Sequence, residues 1–377
     1  MASTSIPSEA IVATEKEAQV YVAPQWKLVW WKFRKHKLAL ASGIIVILIY
    51  LVALFVEFLS PFPSDRTDSK FLYAPPQTLH LFDEQGKLGL YVNGYTSKIE
   101  PIALRRVFVI DPNTEMPVGF FVQGYPYKLL GVIPADRHLI GPVDKSQPMF
   151  LLGADRLGRD LLSRLITGTR VSMSIGLIGV FLSLVLGILL GGLSGYYGGA
   201  LDTLIQRLIE FLRSIPSIPL WMGLAAALPL NWPPERVYFG ITVILSLIGW
   251  TGLARVVRGR FLSLREEDFV MAARLDGQSE LGIILSQMLP AFTSHIIAAT
   301  TLAIPGMILS ETALSFLGLG LREPVVSWGV LLQEAQDIRA IATAPWLLIP
   351  ALAVVLAVLA LNFLGDGLRD AADPYAR

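Results

Sequence analysis

The chain has 377 residues, 53% of them hydrophobic and only 16% charged, and a formal net charge of +1. Soluble domains carry roughly 25% charged residues, so a membrane protein is expected, and the balanced charge without a basic fold motif gives a nucleic-acid partner no support. The absence of cysteine excludes disulfides, thiol catalysis and thiolate metal sites.

Residues 1–24 are polar and lack sustained periodicity, which predicts a disordered tail. WKLVWWKFRKHK follows, with five Lys or Arg between Lys27 and Lys37. Its tryptophans and basic residues suit a helix lying at the membrane interface, although simple anchoring of the next segment explains them equally. Leu38–Leu59 is apolar over the ~20 residues that a crossing requires. It is too long and too far from the terminus for a cleavable signal, so residues 25–60 read as an interfacial helix and a first transmembrane helix.

Residues 61–150 are mostly polar and read as an insert. LHLFDEQGKLGLYV predicts a hairpin about Gln85-Gly86, and RRVFVIDPNTEMPVGFFVQG a second about Asp111-Pro112-Asn113. YPYKLLGVIPADRHLIGP, rich in Pro and Gly, predicts irregular structure. Two hairpins make a small β-rich unit that needs the membrane core for support. It is either a docking surface for an external partner or decoration.

Further apolar runs are Val171–Leu193, Val237–Arg255, Leu289–Leu317 and Thr343–Leu364. Pro216–Leu228 is short, but extends back through Ile209, Phe211 and Leu212 into a tilted or kinked span. The expected fold is therefore an all-α integral membrane protein of about six helices with an extracytoplasmic β insert. Long continuous apolar runs exclude an outer-membrane barrel. Arg255, Arg258, Arg260, Arg265 and Arg274 follow the fourth span, and with the basic segment before the first they place both termini in the cytoplasm.

One polar stretch, DFVMAARLDGQSELGIILSQMLP from Asp268 to Pro290, interrupts the membrane core of residues 151–377. It predicts a helix over about Glu266–Leu275, a turn at Gly277 and a second helix reaching Met288. Phe269, Ala272 and Ala273 share a face at i, i+3, i+4 spacing. One large apolar knob beside two alanines suits insertion into a groove on another protein; a solvated loop is the alternative.

The stretch resembles the cytoplasmic "EAA" coupling loop of binding-protein-dependent ABC importers, with Ala272, Ala273, Gly277, Leu289 and Pro290 matching. Met271 stands where that loop has glutamate, and Gln287 where histidine is common. FLLGADRLGRDLLSRLITGTRVSMSIG, SETALSFLGLGLREPVVSWGVLL, LNFLGDGLRDAADP and the leader KFRKHKLALASGIIVILIYLVALF resemble the second permease of oligopeptide, dipeptide and nickel importers. Ala154 replaces the usual threonine of the first of these.

The resemblance implies a type I importer permease of the inner membrane. Its partners would be a second homologous permease, two ATPase subunits, an external solute-binding protein and the lipid bilayer. It implies a docking helix in the coupling loop 260–290, comprising Asp268, Phe269, Ala272, Ala273, Arg274 and Gly277. Its cargo would be peptides, with oligosaccharides and nickel as alternatives within the family. A channel or ion-coupled transporter would instead show midplane charges or inverted repeats, and neither is evident.

Candidates for chemistry are few. No G-x-x-x-x-G-K-[ST] occurs, and the single Gly-Lys pair, Gly86-Lys87, precedes Leu88, so ATP and magnesium are expected on the partner ATPases. His36, His80, His138 and His295 are dispersed. At 1.5 Å per residue from Leu289, His295 lies about 9 Å along its span and Glu311 about 33 Å along. Neither sits at the midplane, which disfavours an intramembrane protease and predicts a non-catalytic chain. Glu311 then reads as a packing or gating residue near the outer mouth. Gly187, Gly191, Gly192 and Gly195 permit close helix approach, for packing or for pore lining. Pro216, Pro219, Pro305 and Gly306 are candidate hinges or static kinks.

Overall fold

A computed structural model describes residues 25–82, 88–101, 106–229 and 231–372. The expected tail of residues 1–24 and the turn at Gln85-Gly86 lie outside the described residues.

Gln25–Lys35 forms α1, and Lys37–Leu54 forms α2, with the ring of His36 capping its start by accepting the Ala39 N–H at 3.2 Å. Leu161–Tyr197 is α3, Gly199–Ser214 α4, Ser217–Ala226 α5 and Pro234–Leu264 α6. The polar loop carries α7, Asp268–Leu275. Beyond it come α8, Thr293–Phe316, the short α9, Trp328–Gln333, and α10, Ile349–Ala372. Among the described residues five helices are long and apolar enough to cross a membrane: α2, α3, α6, α8 and a span over Pro345–Ala371 that ends in α10.

The expected sixth crossing is broken. α4 packs Ile205 and Ile209 on Trp250 and Ala254, whereas α5 packs Ala225 on Ile241 and Leu245. The two helices therefore run in succession along α6, from its C-terminal half towards its start. The break falls at Ile215-Pro216, where the backbone is extended; an extended residue before proline is what the proline ring favours. Pro219 sits in the first turn of α5, where a missing N–H costs little. Pro305 lies inside α8, which continues through it, so of the predicted kink sites only Pro216 interrupts a helix.

α3 and α6 pack closely because α3 presents glycines to α6. A Cβ on Gly191 would lie 2.5 Å from the carbonyl oxygen of Ala254, and one on Gly195 2.6 Å from Cβ of Phe261. The stripe thus serves helix packing within this chain.

The insert is a four-stranded antiparallel sheet in sequence order: β1 Leu79–Phe82, β2 Leu88–Ile99, β3 Arg106–Leu129 and β4 Ile133–Pro142. The first hairpin has the expected pairing, Leu79 opposite Val92. The expected second turn at Asp111-Pro112-Asn113 is instead a bulge inside β3, between the pairs Gly94–Asp111 and Asn93–Glu115. Asp111 organises it by accepting the Asn113 N–H at 3.1 Å and the Thr114 hydroxyl at 2.8 Å, a turn within a strand. The segment expected to be irregular pairs instead as the β3–β4 hairpin, from Val118 opposite Pro142 to Leu129 opposite Ile133. Val92 and Val118 of the sheet are buried with Phe62 and Met149, from the segments that enter and leave the insert. Gln77 adds polar ties, donating its N–H to Phe150 and accepting that of Phe150 at 2.6 Å.

Candidate functional site at the loop between α6 and α8

α7 forms where the sequence predicts it, with Asp268 in its first turn and Arg274 in its last, charges that complement the helix dipole. It ends in a complete Schellman motif. The N–H of Gln278 donates to the carbonyl of Ala273, and that of Gly277 to the carbonyl of Arg274, both at 3.1 Å; Gly277 adopts φ +74°. That conformation strains any side chain, which explains glycine here. Ser279 then caps a short helix at Glu280–Ile283 by accepting the Gly282 N–H. A π-turn over Ile284–Met288 leads through Pro290 to α8.

The three residues expected on one outward face are divided. Ala273 is buried with Val270 in a core that includes Phe261, Ile283, Met288 and Phe292. Phe269 is 39% exposed and Leu275 87%, and Ala272 is exposed beside Met271. Ala273 therefore seats α7 on its own chain. The face presented outward is Phe269, Met271, Ala272 and Leu275, an apolar surface framed by Asp268 and Arg274.

Residues outside the loop hold it in place, and sequence reading missed them. The Arg274 guanidinium lies 5.2 Å over the ring of Tyr196, and the Tyr197 hydroxyl donates to Glu280 at 2.6 Å. Arg258 donates Nε and Nη2 to the two oxygens of Asp202, each at 2.5 Å, tying the start of α4 to the end of α6. Ser194 also donates to Asp202. A signal existed: Asp202 is an acidic residue entering an apolar stretch, and Arg258 is more than an orientation charge.

Glu311 occupies a different place. It is fully buried, and its Oε1 accepts the hydroxyls of Ser327 at 2.6 Å and Ser315 at 2.8 Å. Ser172 approaches its other oxygen at 3.4 Å while accepting the N–H of Trp328. The carboxyl thereby ties α8 to α9 and α3. Pro305 and Gly306 precede Glu311 on α8 by about one and a half turns, whereas Pro216 and Pro219 lie at the start of α5.

A third cluster lies at the start of α3. Arg159 and Arg164 both donate to Asp155 and to Glu323, at 2.6–3.0 Å, so the GADRLGRDLLSR segment is locked to the loop before α9. Asp160 caps α3 by accepting the N–H and hydroxyl of Ser163 at 2.8 and 2.6 Å. Burial raises its carboxyl to about 6. These groups pair with one another, and among the described residues no cluster of three or more His, Asp or Glu is placed to hold a metal ion.

Residues 183–377, just over half of the chain, match the family described as "binding-protein-dependent transport system inner membrane component", and residues 24–76 match the "N-terminal TM domain of oligopeptide transport permease C". The oligopeptide transport system permease protein OppC of Haemophilus influenzae is 39% identical over 64% of this chain and 76% of its own. The dipeptide transport system permease protein DppC of Lactococcus lactis is 31% identical over 99% of this chain and 97% of its own. Among solved structures, the inward-facing MetNI methionine ABC transporter aligns with a TM-score of 0.43 and 18% identity over 55% of this chain and 96% of that one, a likeness too loose to add to the fold. With these matches covering both its leader span and its helical core, the chain belongs to the family of binding-protein-dependent transport system inner membrane components.

Proposed function

We propose that this chain is a non-catalytic permease subunit of a type I peptide importer in the inner membrane, with both termini in the cytoplasm. A second homologous permease completes the pathway, and two partner ATPases hold ATP and magnesium. An external binding protein delivers an oligopeptide or dipeptide. The observation that carries the reading is α7, a short helix with an apolar outward face, closed by Gly277 and packed on its inner side through Val270 and Ala273.

Such a helix can transmit force. Moving a two-state equilibrium from 1:99 to 99:1 takes about 5.5 kcal/mol of differential binding, which a flexible charged loop could not carry. Docking of Phe269 and Ala272, framed by Asp268 and Arg274, in an ATPase groove would drive α7 as the ATPases close. The buried base of α7 and the Arg258–Asp202 pair would pass that motion to α4 and α6, with the break at Pro216 as a hinge. Pro305 and Gly306 are weaker hinge candidates because α8 continues through them, and Pro219 because it lies in the first turn of α5. Glu311 fits a fixed packing tie near the outer mouth better than a moving gate.

The test is reconstitution of the two permeases, the ATPases and the binding protein in vesicles. Dipeptides or oligopeptides should be taken up with ATP hydrolysis, while nickel and oligosaccharides are ignored. Uptake of either of those instead would reassign the cargo, and peptide uptake without the ATPases would end the importer reading.

A further inference from the structure

α1 is docked, with Phe33 buried against Ala39 and Ala371 and Val29 packed beside them. On the neighbouring side a groove of about 550 Å³ remains between α1, α2 and α10, walled by Trp30, Phe33, Ile44, Ile47, Leu364 and Leu368. Its walls are almost wholly hydrocarbon and aromatic. Gly43 leaves it deep, because a Cβ there would meet only Leu364, at 3.5 Å. Trp30 stacks on Phe33 with ring centres 5.9 Å apart and forms one lip. Ile44 and Ile47 lie exposed along α2 below it, extending the apolar track into the bilayer.

Charge on the α1 and α2 side of the mouth is wholly basic. Trp30 is flanked along α1 by Lys27, three residues before and with its ammonium 5.1 Å over the Trp31 ring, and by Arg34, four after, while Lys37 opens α2. No acidic residue occurs between Gln25 and Val56. On the far wall Asp366 and Asp370 flank Arg369 at the end of α10. An apolar slot opening at the level where an interfacial helix meets a spanning one selects an amphiphile, and the basic mouth selects a negative head.

We propose that this groove holds an anionic phospholipid of the cytoplasmic leaflet. Its acyl chains lie against Trp30, Ile44, Ile47 and Leu368, and its phosphate faces Lys27, Arg34 and Lys37. The proposal rests on the reading that α1 lies on the cytoplasmic side. It makes the leader segment a lipid-held brace on α10 rather than only an orientation signal.

The experiment uses the assembled transporter, purified in mild detergent from membranes containing phosphatidylethanolamine and phosphatidylglycerol. Retained lipid is counted by native mass spectrometry. The wild type should keep about one phosphatidylglycerol per complex at this site. The triple variant Lys27→Gln, Arg34→Gln, Lys37→Gln should retain it at least tenfold more weakly, since each basic residue near an anionic surface contributes about fivefold. Gly43→Trp, which fills the groove, should lose it while the complex still elutes intact. Equal retention of phosphatidylethanolamine, or undiminished phosphatidylglycerol in the triple variant, overturns the proposal. So does a photo-crosslinker at position 44 that captures the partner permease instead of lipid. The readout needs neither peptide nor ATP, so its failure is separable from failure of the importer reading, and thiol labelling of the loop tests the orientation by itself.

Discussion

Ser327 donates its hydroxyl to Oε1 of Glu311 at 2.6 Å while its own oxygen accepts the N–H of Val330 at 3.2 Å. One serine thus caps α9 and ties it to a carboxyl buried in α8. Glu311→Ala would leave the hydroxyls of Ser315 and Ser327 without their acceptor. The expected cost is about 2–4 kcal/mol, read as a lower unfolding temperature of the purified complex. Glu311→Gln keeps an acceptor in place and should retain most of the stability and the transport. If Glu311→Ala unfolds like the wild type but abolishes uptake, Glu311 is a gate and the packing role fails.

At Gly277 the expected effect is on coupling rather than on insertion. With φ at +74° and open space around its Cα, Gly277→Val meets no clash but carries backbone strain of about 1–3 kcal/mol, enough to unravel the Schellman turn of an eight-residue helix. Uptake should fall at least tenfold while the protein still inserts and basal ATP hydrolysis persists. Gly277→Ala should be milder. Normal transport by Gly277→Val would sink the docking model.

Asp160 predicts a pH effect of definite sign. Its buried carboxyl is raised to about 6, and Oδ1 has no hydrogen-bond partner among the described residues. A folded value above the ordinary one favours the protonated form. The stabilisation is therefore full below about pH 4 and is lost as pH rises through about 6. Asp160→Asn keeps an oxygen to cap α3 and removes the titration. The wild-type unfolding temperature should gain on that of the variant as pH falls from 7.5 to 5, and parallel curves would assign the effect to other groups.

Much of this was readable in the sequence, because long apolar runs and a Gly-closed polar loop are local signals. The helix Leu161–Tyr197 contains the apolar run Val171–Leu193 but starts ten residues before it, and Asp268–Leu275 forms just before the glycine turn. What failed was non-local. The Asp111-Pro112-Asn113 turn signal is real, but Asn93 and Gly94 on the neighbouring strand absorb it as a bulge. Spacing groups Ala273 with Phe269 and Ala272 but cannot say which side of α7 its own chain covers, and Ala273 is buried. The Arg258–Asp202 pair joins residues 56 apart, and Glu323 reaches Arg159 and Arg164 from more than 150 residues away.

The insert offers a test of the external partner. Phe120 and Val132 are 63% and 78% exposed, and Ile99 and Phe121 are also open, an unusual amount of apolar surface for a small sheet. Replacing residues 79–142 with a short Gly-Ser linker should at least halve the ATP hydrolysis stimulated by the binding protein and spare basal hydrolysis. Unchanged stimulation would leave the sheet as decoration.

Orientation underlies the docking and lipid proposals, and the chain's lack of cysteine makes it directly testable. A cysteine at Ser279, exposed just after α7, should resist a membrane-impermeant thiol reagent in intact spheroplasts and react once they are opened. A cysteine at Ser97, exposed on β2, should react from outside. The basic residues before α2 and at the end of α6 predict this arrangement because they resist translocation. Labelling of position 279 in intact spheroplasts would put α7 beyond the reach of any ATPase and the basic groove in the outer leaflet, so both proposals would fall together.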